Sequence, residues 1–168
     1  MKTTLAFTIL LTASFAFGCG SRDPKPATHR EAEEHGHSHE RDKMLLADLG
    51  KKHHAALTAH LSSKTGNELD VFLETADEAH KPAPMPLSKL TAKAKTAYGK
   101  EYELTFEPSE PDERKDDPPG KCSHFVAKAP WMKPTDTLTV SATIEIDGKP
   151  QTVEWKDFNP KKYAHHEE

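Results

Sequence analysis

From Leu45 onward, apolar and polar residues alternate with a period of two in a series of short segments. Ala55, Leu57, Ala59 and Leu61 share one face of HAALTAHL, and Leu69, Val71 and Leu73 share one face of ELDVFLE. Leu87, Leu90, Ala92 and Ala94 mark PLSKLTAKA less cleanly. Tyr102, Leu104 and Phe106 alternate in EYELTFE, and Phe125, Ala127 and Ala129 follow in SHFVAKA. The longest clean run is Leu138, Val140, Ala142, Ile144 and Ile146, and Val153 and Trp155 close the series. On a strand, residues two apart face the same side, so each segment predicts a strand with one buried face. Lys64-Thr65-Gly66-Asn67 and Asp147-Gly148 are turn signals, the second a strong hairpin signal because Gly tolerates positive φ. About seven strands with turns every dozen residues or so predict an all-β fold. The expected form is an antiparallel immunoglobulin-like sandwich over residues 44–160, with a small barrel as the main alternative. Residues 108–120, PSEPDERKDDPPG, predict an acidic, proline-rich loop.

The N-terminal 43 residues lack this alternation. Lys2 is followed by the uncharged, mostly apolar stretch Leu5 to Phe17, too short to span a bilayer and typical of a signal-peptide core. Ala16 and Gly18 place small residues at −3 and −1 before Cys19. Residues 1–18 thus resemble a bacterial lipoprotein signal. That resemblance implies cleavage before Cys19 and a diacylglyceryl thioether on its sulfur. The lipid would anchor an exported protein to a membrane on the periplasmic or cell-surface side, with no transmembrane helix. An ordinary secretory signal cut after Gly18 is the other reading. A lipidated Cys19 leaves Cys122 unpaired, so a shielded free thiol is expected there.

Residues 19–43 read as a disordered tether, since they cannot bury enough apolar area to offset ordering entropy. Within it lies His35-Gly36-His37-Ser38-His39, flanked by Glu33, Glu34 and Glu40. Alternate histidines of an extended chain project to one side, and Gly36 lets the backbone fold around an ion. Neutral imidazole suits Zn, Cu and Ni, so His35, His37 and His39 are the candidate metal ligands, with Zn or Cu the expected ion. A solvated linker whose histidines do nothing is the plain alternative.

The chain has 168 residues, 35% hydrophobic and 30% charged, with a net charge of −4 and 11 histidines. Its basic residues are scattered, which argues against nucleic-acid binding. None of G-x-S-x-G, the P-loop, H-E-x-x-H or C-x-x-C occurs, and the chain does not read as an enzyme. Cys122 and His124, at i and i+2, are a second candidate ligand pair if both sit on one strand face; a core cysteine beside a hydrogen-bonded histidine is the alternative. His54 and His60 lie on one strand face but about 20 Å apart, too far to share an ion. His53 could join the tether cluster, and His80 falls alone in a loop. His165 and His166 fall in a His/Glu tail, residues 161–168, expected to fray or to supply accessory imidazoles.

The stretches HHAALTAHLS, NELDVFLETAD, GKCSHFVAKAP and TVSATIEIDGK give Leu46 to Phe158 a resemblance. The segment is similar to the N-terminal β-sandwich module of some heavy-metal efflux periplasmic adaptor (membrane fusion) proteins. The chain lacks the coiled-coil hairpin and lipoyl-like half-motifs of a full adaptor. The resemblance therefore implies a free-standing module near metal handling, with a heavy-metal efflux system as the candidate partner. Two functions follow as expectations. One is a lipid-anchored, extracytoplasmic metal-binding or metal-buffering protein. The other is a non-catalytic lipoprotein interaction module whose histidines are incidental.

The anchoring expectation has a direct test. Cys19→Ser should move the protein from the membrane fraction to the soluble fraction. A wild-type protein that is already soluble with an unmodified Cys19 would remove the lipid from the picture.

Overall fold

The computed structural model describes residues 41–167, and their side chains as far as residue 165. Every regular element longer than a 3-10 turn among the described residues is a strand. In chain order these are β1 (Leu45–Leu49), β2 (His53–Leu61), β3 (Glu68–Thr75), β4 (Leu90–Thr96), β5 (Glu101–Pro108), β6 (His124–Lys128), β7 (Leu138–Ile146), β8 (Lys149–Phe158) and β9 (Ala164–Glu167). The seven segments with period-two patterns correspond to β2 through β8. Short 3-10 turns occur at Arg41–Lys43 and Pro111–Arg114.

The strand count and closure differ from the expected sandwich of about seven strands. Eight strands form one antiparallel path, β1-β2-β3-β6-β5-β4-β7-β8, and β9 joins β2 in parallel. β1 and β8, the two ends of the path, lie against each other without forming a ladder, so the sheet is nearly closed into a barrel. Closure has a physical reason: it leaves fewer unpaired backbone edges than two open sheets would. The path narrows at β5–β6, where only Glu107↔Val126 and Pro108↔Phe125 pair. The expected tail also differs, because the backbone of 164–167 is paired to β2.

Alternation is most regular in the second half of the path. In β4 the pattern is Leu90, Ala92 and Ala94 inward with Thr91, Lys93 and Lys95 outward. β7 behaves similarly, with Leu138, Val140, Ala142 and Ile144 buried. The β7–β8 hairpin turns on Asp147 (φ 50°) and Gly148 (φ 73°), both left-handed, as a two-residue turn between right-twisted strands requires. β2 and β3 depart from simple alternation. Ala56, Thr58, Asp70 and Glu74, on their outward faces, are also buried. Additional chain therefore covers that side of the barrel.

Trp155 on β8 locks the interior. It is 1% exposed, and its Nε1–H donates to the Ala55 carbonyl on β2 at 2.9 Å. An indole is buried cheaply only when its N–H finds an acceptor. Replacing Trp155 with Phe removes that donor and leaves a void. The expected cost is about 2–3 kcal/mol, read as a lower urea midpoint at unchanged m-value. A loss below about 0.5 kcal/mol, the size of an ordinary surface change, would show that the bridge contributes little.

Candidate functional site

The outward faces of β2, β3 and β6 carry the polar side chains that a barrel cannot bury. His60 stands on β2, Glu68, Asp70, Phe72 and Glu74 on β3, and His124 and Lys128 on β6. The acidic segment after β5 returns over this face and is fastened to it. Ser109 N–H donates to the His124 carbonyl at 3.0 Å. Asp117 accepts from both the backbone N–H and the hydroxyl of Ser123, each at 2.7 Å. Arg114 Nε–H donates to the Ser109 carbonyl at 2.8 Å. Between loop and sheet lies a cleft of about 1090 Å³. Nine carboxylate and four cationic side chains line it, together with the imidazoles of His60, His80, His124 and His165, so its walls are net acidic.

His124 forms the floor. Its side chain is 7% exposed, and its Nε2 lies 3.0 Å from Asp70 Oδ1. Its Nδ1 is 3.6 Å from Glu113 Oε2, an ion-pair distance rather than a hydrogen bond. Phe72, its register partner on β3, stacks on the ring with centroids 4.1 Å apart. Removing a carboxylate and an imidazole from water together is tolerable because each satisfies the other. The arrangement holds a fixed, oriented imidazole. The neighbouring serine does not complete a nucleophile–base pair with it, because the Ser123 hydroxyl is donated to Asp117.

Arg41 forms one rim. Its guanidinium pairs with Glu74 and donates to His80 Nδ1 at 2.9 Å. Guanidinium has no acceptor, so His80 Nδ1 must accept, which places the proton of the neutral ring on Nε2. His80 is no lone loop residue: its ring lies 6.1 Å from that of His54, whose Nδ1 is 3.3 Å from Asp48 Oδ1. The opposite rim is made by His60 and His165, with ring centroids 5.7 Å apart.

The ligand residues expected from the sequence divide sharply. Cys19, His35, His37 and His39 lie outside the described residues. Cys122 and His124 are described, and their side chains take different directions. Cys122 precedes β6, bridges Met85 through its backbone, and joins the core at 2% exposure. Its thiol donates to the His124 carbonyl at 3.0 Å, whereas the imidazole is engaged by Asp70. The i, i+2 rule does not hold for this pair because the strand begins only at His124. Among the described residues no group of three or more His, Cys, Asp or Glu side chains converges to hold a metal ion. Sequence reasoning did not single out Arg41, Thr58, Asp70, Phe72 or Glu113. The outward stripe Glu68, Asp70, Phe72, Glu74 was the available signal, since it alternates as regularly as the apolar face between its members.

Cys122 is a free, buried thiol among the described residues. Burial pushes its pKa up, and the Asp117 carboxylate adds to the effect. The folded state therefore keeps a proton that the unfolded chain loses. That contribution to stability is complete below the unfolded pKa, about 8.5, and is lost as pH rises towards the folded value. Stability should fall on alkaline titration, and fall less in Cys122→Ala. Native alkylation of Cys122 at neutral pH should be slow and should become fast in denaturant. Rapid native labelling would contradict the burial.

Compared with protein families, with characterised proteins and with solved structures, the chain matches none of them.

Proposed function

We propose that this protein is a lipid-anchored, extracytoplasmic metal-binding or metal-buffering protein associated with heavy-metal handling. It would be held at the membrane through Cys19 and would act without catalysis. One observation carries the reading. Arg41, the first described residue, is fixed at the mouth of the acidic cleft by Glu74 and His80. His39 lies two residues and His35 six residues before Arg41 in the sequence. The cleft itself is net acidic and bears four imidazoles. A negative field raises the local concentration of divalent cations and favours their capture by neutral imidazole.

The resemblance to the sandwich module of efflux adaptors supports the association with heavy-metal handling, and an efflux system is the partner it suggests. The alternative, a non-catalytic interaction module, is favoured by the size and charge of the cleft, which would suit a cationic segment of a partner protein.

Metal titration separates the two. With Zn(II) or Cu(II), His35, His37 and His39 changed together to Ala should remove most of the bound equivalents, while the circular dichroism of the barrel stays unchanged. Wild-type binding should weaken as pH falls into the range where imidazole protonates, because a protonated ring has no lone pair for the metal. A wild-type protein that binds neither ion at neutral pH would leave the interaction module as the better reading.

A further inference from the structure

β6 lies between β3 and β5, and one rung of these three strands alternates charged and apolar side chains. Asp70 on β3 pairs in register with Val126, and Val126 pairs with Glu107 on β5. Register partners on neighbouring strands share a face. Asp70, Val126 and Glu107 therefore stand in a row on the outward side, and all three line the acidic cleft. Asp70 is the buried end of the row, at 5% exposure. Its Oδ1 meets His124 Nε2, whereas Oδ2 has no hydrogen-bond partner among the described residues. Ser109, two residues beyond Glu107, is also buried in the cleft wall, and its Oγ likewise has no partner there. A carboxylate oxygen out of water and unpaired carries a desolvation cost that a donor removes. The terminal torsion of Asp is broad, so a turn of the carboxylate presents Oδ2 to the cleft.

The arrangement of the acidic groups selects the kind of donor. They do not converge into a shell for a metal ion among the described residues. They are spread along the walls instead. Arg41 and Lys128 are matched by Glu74 and Glu68, and the lining keeps an excess of negative charge. Spread negative charge is complementary to a ligand whose positive charges are spaced along a chain. Two strand spacings put the Asp70 and Glu107 positions about 10 Å apart. With about 2.8 Å taken by each charge-assisted hydrogen bond, a short aliphatic spacer spans the remaining gap, and Val126 lies beneath it. Met44, Pro82 and Pro108 add apolar surface to the same walls. Ammonium groups separated by methylenes thus match carboxylates separated by an apolar side chain.

We propose that the cleft binds a linear aliphatic polyamine, with one ammonium on Asp70 and another on Glu107 across Val126, and with Ser109 Oγ as a further acceptor. A lysine side chain of a partner protein offers a single ammonium on each aliphatic arm. A polyamine offers two or more on one arm, as a row with two carboxylates requires. The inference goes beyond the metal-binding reading and does not rest on it, since it needs neither the tether histidines nor a metal ion.

The test uses the full chain in detergent and metal-free buffer, with spermidine as the probe. Calorimetric titration at low ionic strength should show one bound equivalent, and affinity should fall as salt is raised, because charges open to solvent are screened. Asp70→Asn keeps the shape of the side chain and an acceptor for His124. It should lower affinity about tenfold or more, the worth of a hydrogen bond to a charged group. Glu107→Gln changes an exposed position and should lower affinity about two- to fivefold, the range for an exposed ion pair. Thermal melts check the fold of both variants, and Glu107→Gln keeps the test decisive if Asp70→Asn fails to fold. Butylamine, with one ammonium, should bind more weakly than spermidine. The proposal is overturned if spermidine does not bind, if the folded variants bind it as wild type does, or if butylamine binds as tightly. It is also overturned if a lysine-rich peptide binds more tightly than spermidine, which would assign the cleft to a partner protein. Zn(II) titration is a separate measurement, so the metal-binding reading stands or falls apart from these outcomes.

Discussion

β2 has nine residues and β1 only five, and this mismatch shapes one side of the molecule. β1 pairs with His53 to Leu57, leaving the same backbone edge of β2 without a partner from Ala59 onward. An unpaired edge inside a nearly closed barrel would leave backbone donors and acceptors without water or protein to meet them. β9 fills the gap, running parallel to β2 from Ala59↔Ala164 to Leu61↔Glu167, with an irregularity after Ala59. The same segment brings the Tyr163 carbonyl over Thr58 and swings the His165 ring to His60. Completing the edge therefore also builds one rim of the cleft. The wall and the chemistry on it have a single cause.

The opposite wall depends on charge. The loop from Ser109 to Asp117 has almost no apolar residue to bury and is held by polar ties alone, to Ser123 and the His124 carbonyl. Beneath it, Asp70 and His124 are both nearly inaccessible, with side chains 8% and 7% exposed. A buried pair of this kind adds little net stability, because its attraction mainly offsets the cost of leaving water. A one-residue slip of β6 against β3 would strand both groups in apolar surroundings.

The strands whose apolar residues recur at every second position were legible in the sequence, because that period reports a buried sheet face directly. β2 to β8 all carried that signal. β1 did not, since LLADL is short and places Leu45 and Leu46 side by side. β9 carried none: Ala-His-His-Glu has no apolar face, and its partner lies about a hundred residues away in the chain. Cys122 looked like a strand residue two before His124. The bridge to Met85 set its direction instead, a contact between segments nearly forty positions apart. The histidines were conspicuous by count, but their pairing was not. His60 meets His165 through the pairing of β9 with β2, and His54 meets His80 where the chain after β3 turns back beside the start of β2.

The two ends of the folded unit also share that edge of β2. Leu45 opens β1 opposite Leu57, and Ala164 opens β9 opposite Ala59. Two residues of strand separate these positions, about 7 Å. A domain entered and left at neighbouring points behaves as a cassette: it can sit within a host chain while separating the host's ends very little. The same closeness makes it a good subject for circular permutation, with a short linker joining 167 to 41 and new ends opened at the exposed turn around Tyr98, which is 96% exposed.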